Sequence, residues 1–321
     1  MASAPLFEAL RLAYNDDVSD GYWGHKTSTL NFCEEDYAVS YYCAEVCNTF
    51  TNLLFLWLGF KGVHNCVSQG HPRIFLIAYM GYVIVGLGST AFHTSLKYPM
   101  QMVDELSMIY TTCLMVFATF SFSKPPRFAV VLGTGLVFLA AFITFYYHMT
   151  KDPGFHQACY AALTATVVLR SLYVMETQLR PVLTKRNGVK AQAILKTMWI
   201  MVGTGLAVFL LGFFIWNLDN AFCSRIRHWR RQLGLPWGAL LEGHAWWHLM
   251  TGIGGMDYMS LRVRWRGFWH LHCANQTLAY YYITWGIWLR RCLEGRENEY
   301  RLVWPRSLSS IPLVVRRGKA E

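Results

Sequence analysis

The sequence predicts an all-α membrane protein: a seven-transmembrane helix bundle with a lumenal N-terminus and a cytosolic C-terminus. Three observations predict it. The 321 residues are 54% hydrophobic and only 15% charged, whereas a soluble domain is roughly a quarter charged. The mean hydropathy is positive, at +0.24. Long apolar stretches alternate with short polar ones, and 74–96, 128–149 and 198–218 carry no Asp, Glu, Lys or Arg. These figures argue against a soluble enzyme, a disordered chain or a nucleic-acid-binding protein, and they make the bilayer the first partner. Nine cysteines in so long a chain are too scattered for a disulfide-built scaffold.

Residues 1–37 have neither a basic n-region nor a long apolar h-region, so they read as a lumenal segment and not as a cleaved signal. Seven spans follow, at about 38–60, 74–96, 104–122, 128–149, 155–175, 198–218 and 244–261. Each approaches the ~20 residues that a helix needs to cross the hydrocarbon. Strand-like alternation is absent, so helices are the expected form. Spans one, five and seven carry Glu45, Arg170 and Asp257. Residues 38–261 thus form the bundle, and 262–321 a basic cytosolic region. With the N-terminus outside, twenty of the 29 basic residues fall inside and eight outside, Arg170 lying within a span. The net charge of +10 is therefore mainly an orientation signal. The stretch 268–289 is apolar enough for an eighth span, but that would carry the basic tail outside. An interfacial or packed segment suits its Trp and Tyr better.

Ionisable groups in spans are functional candidates. Counting spans puts Glu34, Asp36, Glu45, Ser89, His93, Asp104, Asp219, His244 and His248 on one membrane face. His244 and His248 are four apart, so a helix presents both imidazoles on one side. That is the spacing by which a helix gives two ligands to one metal ion. An interfacial belt would also hold such a pair, and His93 on the same face favours the metal. Three imidazoles with an open position describe a catalytic zinc site. Ser89 lies one turn before His93, where it serves catalysis or close helix packing. Asp104 follows across a short connection and can exchange protons with water. Oxygen-rich Asn31–Asp36, with Glu45, suits a hard cation such as Ca²⁺, although acidic residues also favour helix N-termini. The other histidines, among them His71 and His156, read as interfacial or loop residues.

These residues resemble a known family. GYWGHKTSTLNFCEEDYAVSYYCAEVCNTFTN, the Ser89-x-x-x-His93 pattern, KYPMQMVDELSMIY around Asp104, and HAWWHLMTG at 244–252 stand in the order found in the alkaline ceramidases, seven-span zinc amidases of the endomembrane system. The resemblance covers roughly 21–261. It implies zinc on His93, His244 and His248, water activation by Asp104 and support of the water or oxyanion by Ser89. It implies Ca²⁺ on Asn31, the Phe32 carbonyl, Glu34, Asp36 and Glu45, with Asn31 standing where the family usually has Asp. It also implies a Cys33–Cys223 disulfide, the remaining cysteines reading as buried thiols. The expected activity is hydrolysis of a ceramide lipid in the endoplasmic reticulum and/or Golgi, with no nucleic acid and no obligate protein partner. Two rivals share features with it: a zinc-containing seven-span receptor of the adiponectin-receptor type, and a channel lined by a Glu45–Arg170 pair.

Overall fold

The computed structural model describes residues 11–14, 20–186, 188–252, 278–303 and 312–318. After an N-terminal loop, α1 (Val46–Thr51) and α2 (Leu53–Gln69) are separated only by Asn52. Then come α3 (Arg73–Ser95), α4 (Tyr98–Ser121), α5 (Pro126–Thr150) and α6 (Pro153–Val174). α6 continues through a π turn, Met175–Leu179, into α7 (Arg180–Arg186), and α8 (Gly188–Ala221) returns. Next are α9 (Cys223–Leu233), a 3-10 turn (Trp237–Leu241), α10 (Gly243–Gly252) and α11 (Leu278–Leu293). An antiparallel hairpin pairs β1 (Tyr300–Val303) with β2 (Leu313–Arg316), Tyr300 opposite Arg316. Among the described residues, five helical runs are long and apolar enough to cross a membrane: α3, α4, α5, Pro153–Arg186 and α8.

Local chemistry sets the boundaries. Proline occupies the first turn of α4, α5 and α6, where its missing N–H is no loss. Asp152 caps α6 by accepting from the Gly154 N–H. α2 stops at Gly70, whose φ of 65° lies in the left-handed region that glycine enters freely. α3 is the hub, packed against α1, α2, α4 and α11. α5 buries only Ile143 and Tyr147, so its remaining surface faces outward, as suits a helix in lipid.

Four spans differ from the sequence expectation. The fifth extends to Arg186, beyond 155–175, and the sixth begins at Gly188, ahead of 198–218. The first helix pair runs from 46 to 69, not 38 to 60. Residues just before it stay extended because their backbone N–H groups pair elsewhere: Ala44 donates to Thr94 O and Glu45 to His93 O, each at 3.0 Å. Of the seventh, 244–261, α10 covers the start; 253–261 lie outside the described residues, as do 268–277. Of the following apolar stretch, the described part belongs to α11, which packs against α2, α3 and α8. Tyr280, Trp285, Ile287 and Cys292 are buried there, and Tyr79 and Thr284 share a hydroxyl hydrogen bond of 2.7 Å. Within 262–321, α11 and the hairpin therefore contribute apolar and aromatic residues to the core. The hairpin also covers His71, which lies, as read, in a loop, here the turn after α2. Its Nε2 lies 2.8 Å from Val314 O, and the side chain is buried.

Small residues bring helices into contact. A Cβ on Gly88 would lie 3.0 Å from Asp104 N and 3.1 Å from its Cα. Gly88→Ala should therefore push α3 and α4 apart and lower stability by roughly 1–3 kcal/mol, read as a lower melting temperature in detergent. An unchanged melt would mean that the backbones do not approach so closely.

Candidate metal centre and active site

The last turn of α3 supplies His93, and two successive turns of α10 supply His244 and His248. All three are buried, and one side-chain nitrogen from each lies within 4.8 Å of the others. The rings crowd together, with centroids 4.5 Å apart for His244 and His248 and 4.8 Å for His93 and His248.

Outer contacts fix the tautomers. His248 Nδ1 lies 3.0 Å from Asn48 O, which only accepts, so Nδ1 carries the proton. Thr51 Oγ1 lies beside the same nitrogen at 3.0 Å. His93 Nδ1 meets the Glu45 carboxylate. Each arrangement leaves Nε2 with its lone pair facing inward, as carboxylates and carbonyls do behind metal-ligating histidines. His244 Nδ1 is buried without a hydrogen-bond partner, and Phe32 stacks on that ring at 3.8 Å. Three neutral nitrogens, two held by outer hydrogen bonds and one with an orphaned buried atom, fit a metal of zinc's ligand preference.

Asp104 comes from the start of α4 and accepts a hydrogen bond from Ser89 on α3. Both line a cavity of about 590 Å³ together with His244 and His248. Its walls are otherwise mostly apolar, including Phe55, Val85, Tyr160, Val168, Leu206 and Phe209. A long apolar chamber with polar groups at one end suits a lipid with a single reactive linkage. His156, read from sequence as a loop or interfacial residue, is buried on α6 and lines this cavity. Its Nε2 lies 2.8 Å from Glu105 O. The Glu105 carboxylate in turn accepts from Gln101 Nε2 at 2.9 Å and from the Tyr147 hydroxyl.

The acidic loop lies directly behind the histidines. Glu34 accepts from the N–H groups of Cys47 and Asn48 at 2.7 and 2.8 Å, in the first turn of α1. Burial, with the Glu45 charge nearby, pushes the Glu34 carboxyl up, and burial also raises Asp36. Glu45 Oε1 and Asp36 Oδ1 are buried without partners. Phe32 O already accepts from Arg227 Nη2 at 3.2 Å, and Asn31 is exposed. The group that converges here is Glu34 with Cys47 and Glu242, whose ligand atoms lie within 4.8 Å of one another; Glu45 turns to His93, Asp36 lies 3.8 Å from Lys26, and Asn31 is exposed. Cys33 and Cys223 form a disulfide, their Cα atoms 5.4 Å apart, which ties this loop to the start of α9. Cys66, Cys113 and Cys292 are buried thiols, whereas Cys43, Cys47 and Cys159 are partly exposed.

Arg230 escaped the sequence reading, which counted it among the basic residues of a connection. It is fully buried. Nη2 lies 2.9 Å from Asp219, and Nη1 lies 3.0 Å from Glu242 and 2.7 Å from Cys33 O. Asp219 also lies against Gly243, the first residue of α10, where an added Cβ would come within 2.5 Å of Asp219 Cβ. Asp219 itself was visible as an ionisable group at a span end. Only the fold joins it to Arg230. Glu45 and Arg170, considered as a pair, are not one: Glu45 engages His93 and Asn48, and Arg170 lies over Phe120 and Tyr173.

Glu45→Gln keeps the size of the His93 partner and removes its charge. Metal affinity, measured by competition with a chelator, should fall about 10–100-fold. Unchanged affinity would show that this contact does not tune the ligand.

Residues 24–264 match the family model described as Ceramidase. The chain is 37% identical over 237 residues to "Alkaline ceramidase 3" of Mus musculus, covering 73% of this chain and 82% of the mouse protein. It is 33% identical over 262 residues to "Alkaline ceramidase YPC1" of Saccharomyces cerevisiae, covering 78% and 80%. "Alkaline ceramidase" of Arabidopsis thaliana is 28% identical over 239 residues, covering 73% and 82%. With the histidine cluster, its acidic neighbour and the apolar chamber in one bundle, the chain belongs to the ceramidase family.

Proposed function

We propose that this protein hydrolyses the amide bond of ceramides, releasing a sphingoid base and a free fatty acid, with zinc on His93, His244 and His248. The observation that carries the reading is the opening of the histidine cluster, beside Asp104, onto the long apolar cavity. Zinc held there would polarise the amide carbonyl and make water a nucleophile near neutral pH. Asp104 takes the proton from the attacking water and returns it to the leaving amine. Ser89 holds that carboxylate in place and steadies the water or the developing oxyanion. The apolar walls take the hydrocarbon chains and keep water from them. Leu169 on α6 and Leu210 on α8 line the cavity while also exposed outward, so a lipid can enter from the bilayer between these helices. A receptor with the same metal and no turnover has no use for a paired Asp104 and Ser89 at the metal. Calcium on Glu34, Asp36 and Glu45, with Asn31 and Phe32 O, would neutralise the carboxylates behind His93.

The topology that fits this chemistry has seven crossings. α1 and α2 make the first. α10, of 10 residues, and α11, of 16, make the seventh between them, about 39 Å at ~1.5 Å per residue. α10 starts at the histidines, and α11 ends where Arg291 donates to Gly70 O, at the far end of α2. The loop with its disulfide is then lumenal, where disulfides persist, and the C-terminus is cytosolic, in the endoplasmic reticulum and/or Golgi.

Alanine at His93, His244 or His248 should reduce sphingoid-base release from purified protein to background, and Asp104→Asn should reduce it by about 10²–10⁴-fold. Zinc chelation should reproduce the loss. A correctly folded histidine variant with normal turnover removes the zinc assignment. In the full chain a C-terminal tag should lie on the cytosolic side and the N-terminal loop in the lumen. A C-terminal tag in the lumen would refute the composite seventh crossing.

A further inference from the structure

A second chamber lies at the opposite end of the bundle. α4 runs from Asp104 to Ser121, about 26 Å at ~1.5 Å per residue, and the chamber opens around that far end. Its volume is about 250 Å³. Lys124, Arg170 and Arg290 line it, with Ser171, Gln178 and Tyr282 among the other lining residues, and none of the lining residues is acidic. The cations come from three separate parts of the chain: the turn after α4, the body of α6 and the end of α11.

Arg170 lacks the partner that a cation at this depth needs. It stacks on Phe120 and Tyr173, with its guanidinium carbon 4.9 and 5.3 Å from the ring centroids. Its Nε is buried and has no hydrogen-bond partner. No carboxylate pairs with it among the described residues. The Tyr282 hydroxyl, on the facing helix, is likewise buried and unpartnered. Arg290 lies over Phe122 and spends one contact on Glu294 at 3.2 Å. α6 departs from α-helical winding at this level, and the π turn places Gln178 on the chamber wall. Such turns recur at binding sites. Unpaired ionisable groups within a bundle mark ligand sites. A planar guanidinium with free donors is matched to phosphate oxygens.

We propose that this chamber binds a phosphate group, presented by the headgroup of an anionic phospholipid. Basic pockets between transmembrane helices capture such headgroups. The far end of the bundle is also the face on which most basic residues fall. The phosphate oxygens accept from Arg170 and Tyr282 inside, and Lys124 and Arg290 close over them at the mouth. This site is separate from the histidine centre and takes no part in the hydrolytic step.

The test uses the full-length protein in nanodiscs of phosphatidylcholine alone, or with one-tenth phosphatidic acid, and in phosphatidylcholine with inorganic phosphate added. Bound lipid is counted by native mass spectrometry, and the melting temperature is recorded. Phosphatidic acid should bind and raise the melting temperature of the wild type. Arg170→Gln should weaken that binding at least tenfold while leaving hydrolysis in phosphatidylcholine unchanged. Binding of inorganic phosphate with the same Arg170 dependence would support the phosphate chemistry and make the free ion the source. Should Arg170→Gln fail to fold, Lys124→Gln with Arg290→Gln at the mouth should still weaken binding tenfold. Phosphatidic acid and phosphate that fail to bind the wild type, or that bind these variants equally well, would overturn the proposal.

Discussion

The Arg230 guanidinium, fully buried, reaches three pieces of chain at once: Asp219 at the end of α8, Glu242 just before α10, and the carbonyl of Cys33 in the N-terminal loop. A buried cation is expensive to desolvate, and two carboxylates plus a carbonyl offset that cost only in one arrangement of the chain. The arrangement is the one that builds the metal centre. Asp219 also packs directly on Gly243 at the start of α10, so the helix that carries His244 and His248 is positioned from the same point. The Cys33–Cys223 disulfide ties the same loop covalently to α9. Burial and the nearby Glu34 carboxylate push the Glu242 carboxyl up even with Arg230 beside it.

From that anchor the site is determined outward. α10 approaches α8 closely enough that a Cβ on Gly243 would lie 2.5 Å from Asp219 Cβ, and one on Gly212 2.8 Å from Met250 Cβ. The loop, held by Arg227 and Arg230, lays Phe32 against His244 and brings Glu45 to His93. The imidazoles are therefore oriented by contacts behind them, before any ligand arrives in front. This division separates rigid positioning at one end from an apolar chamber with few fixed contacts along the membrane. A reaction at a single amide linkage needs the first, and substrates with long flexible tails are best served by the second.

How much of this was legible in the sequence depended on range. His244 and His248 could be read because a helix converts a spacing of four into shared facing. His93, Ser89 and Asp104 could be read because spans of known length bring alternate ends to one face. Both inferences use local periodicity and the fixed thickness of a bilayer. Arg230 could not be read, since its partners lie 11 residues away at Asp219 and 197 away at Cys33, and nothing local separates a buried arginine from the exposed ones beside it. The first span was displaced because hydropathy counts apolar residues whether they are helical or extended: Ala38, Ala44 and their neighbours are buried in a loop, not in a crossing. The packing of α11 was visible only as one of two alternatives, because aromatic residues serve an interface and a core equally well.

Arg170 shows the limit of reading charges by sign. An acid and a base within spans invite pairing, and Glu45 and Arg170 are opposite in charge and both within expected spans. Depth separates them. Glu45 belongs to the histidine end, where Asn48 donates to it at 3.1 Å. Arg170 lies at the level of Thr119 and Gln178, toward the other face. A charge in a bundle is explained by its partner, and distance along the membrane normal decides which partners are possible. Two unlike charges at different depths therefore identify two sites, one acidic and built around imidazoles, the other basic and lined with free donors.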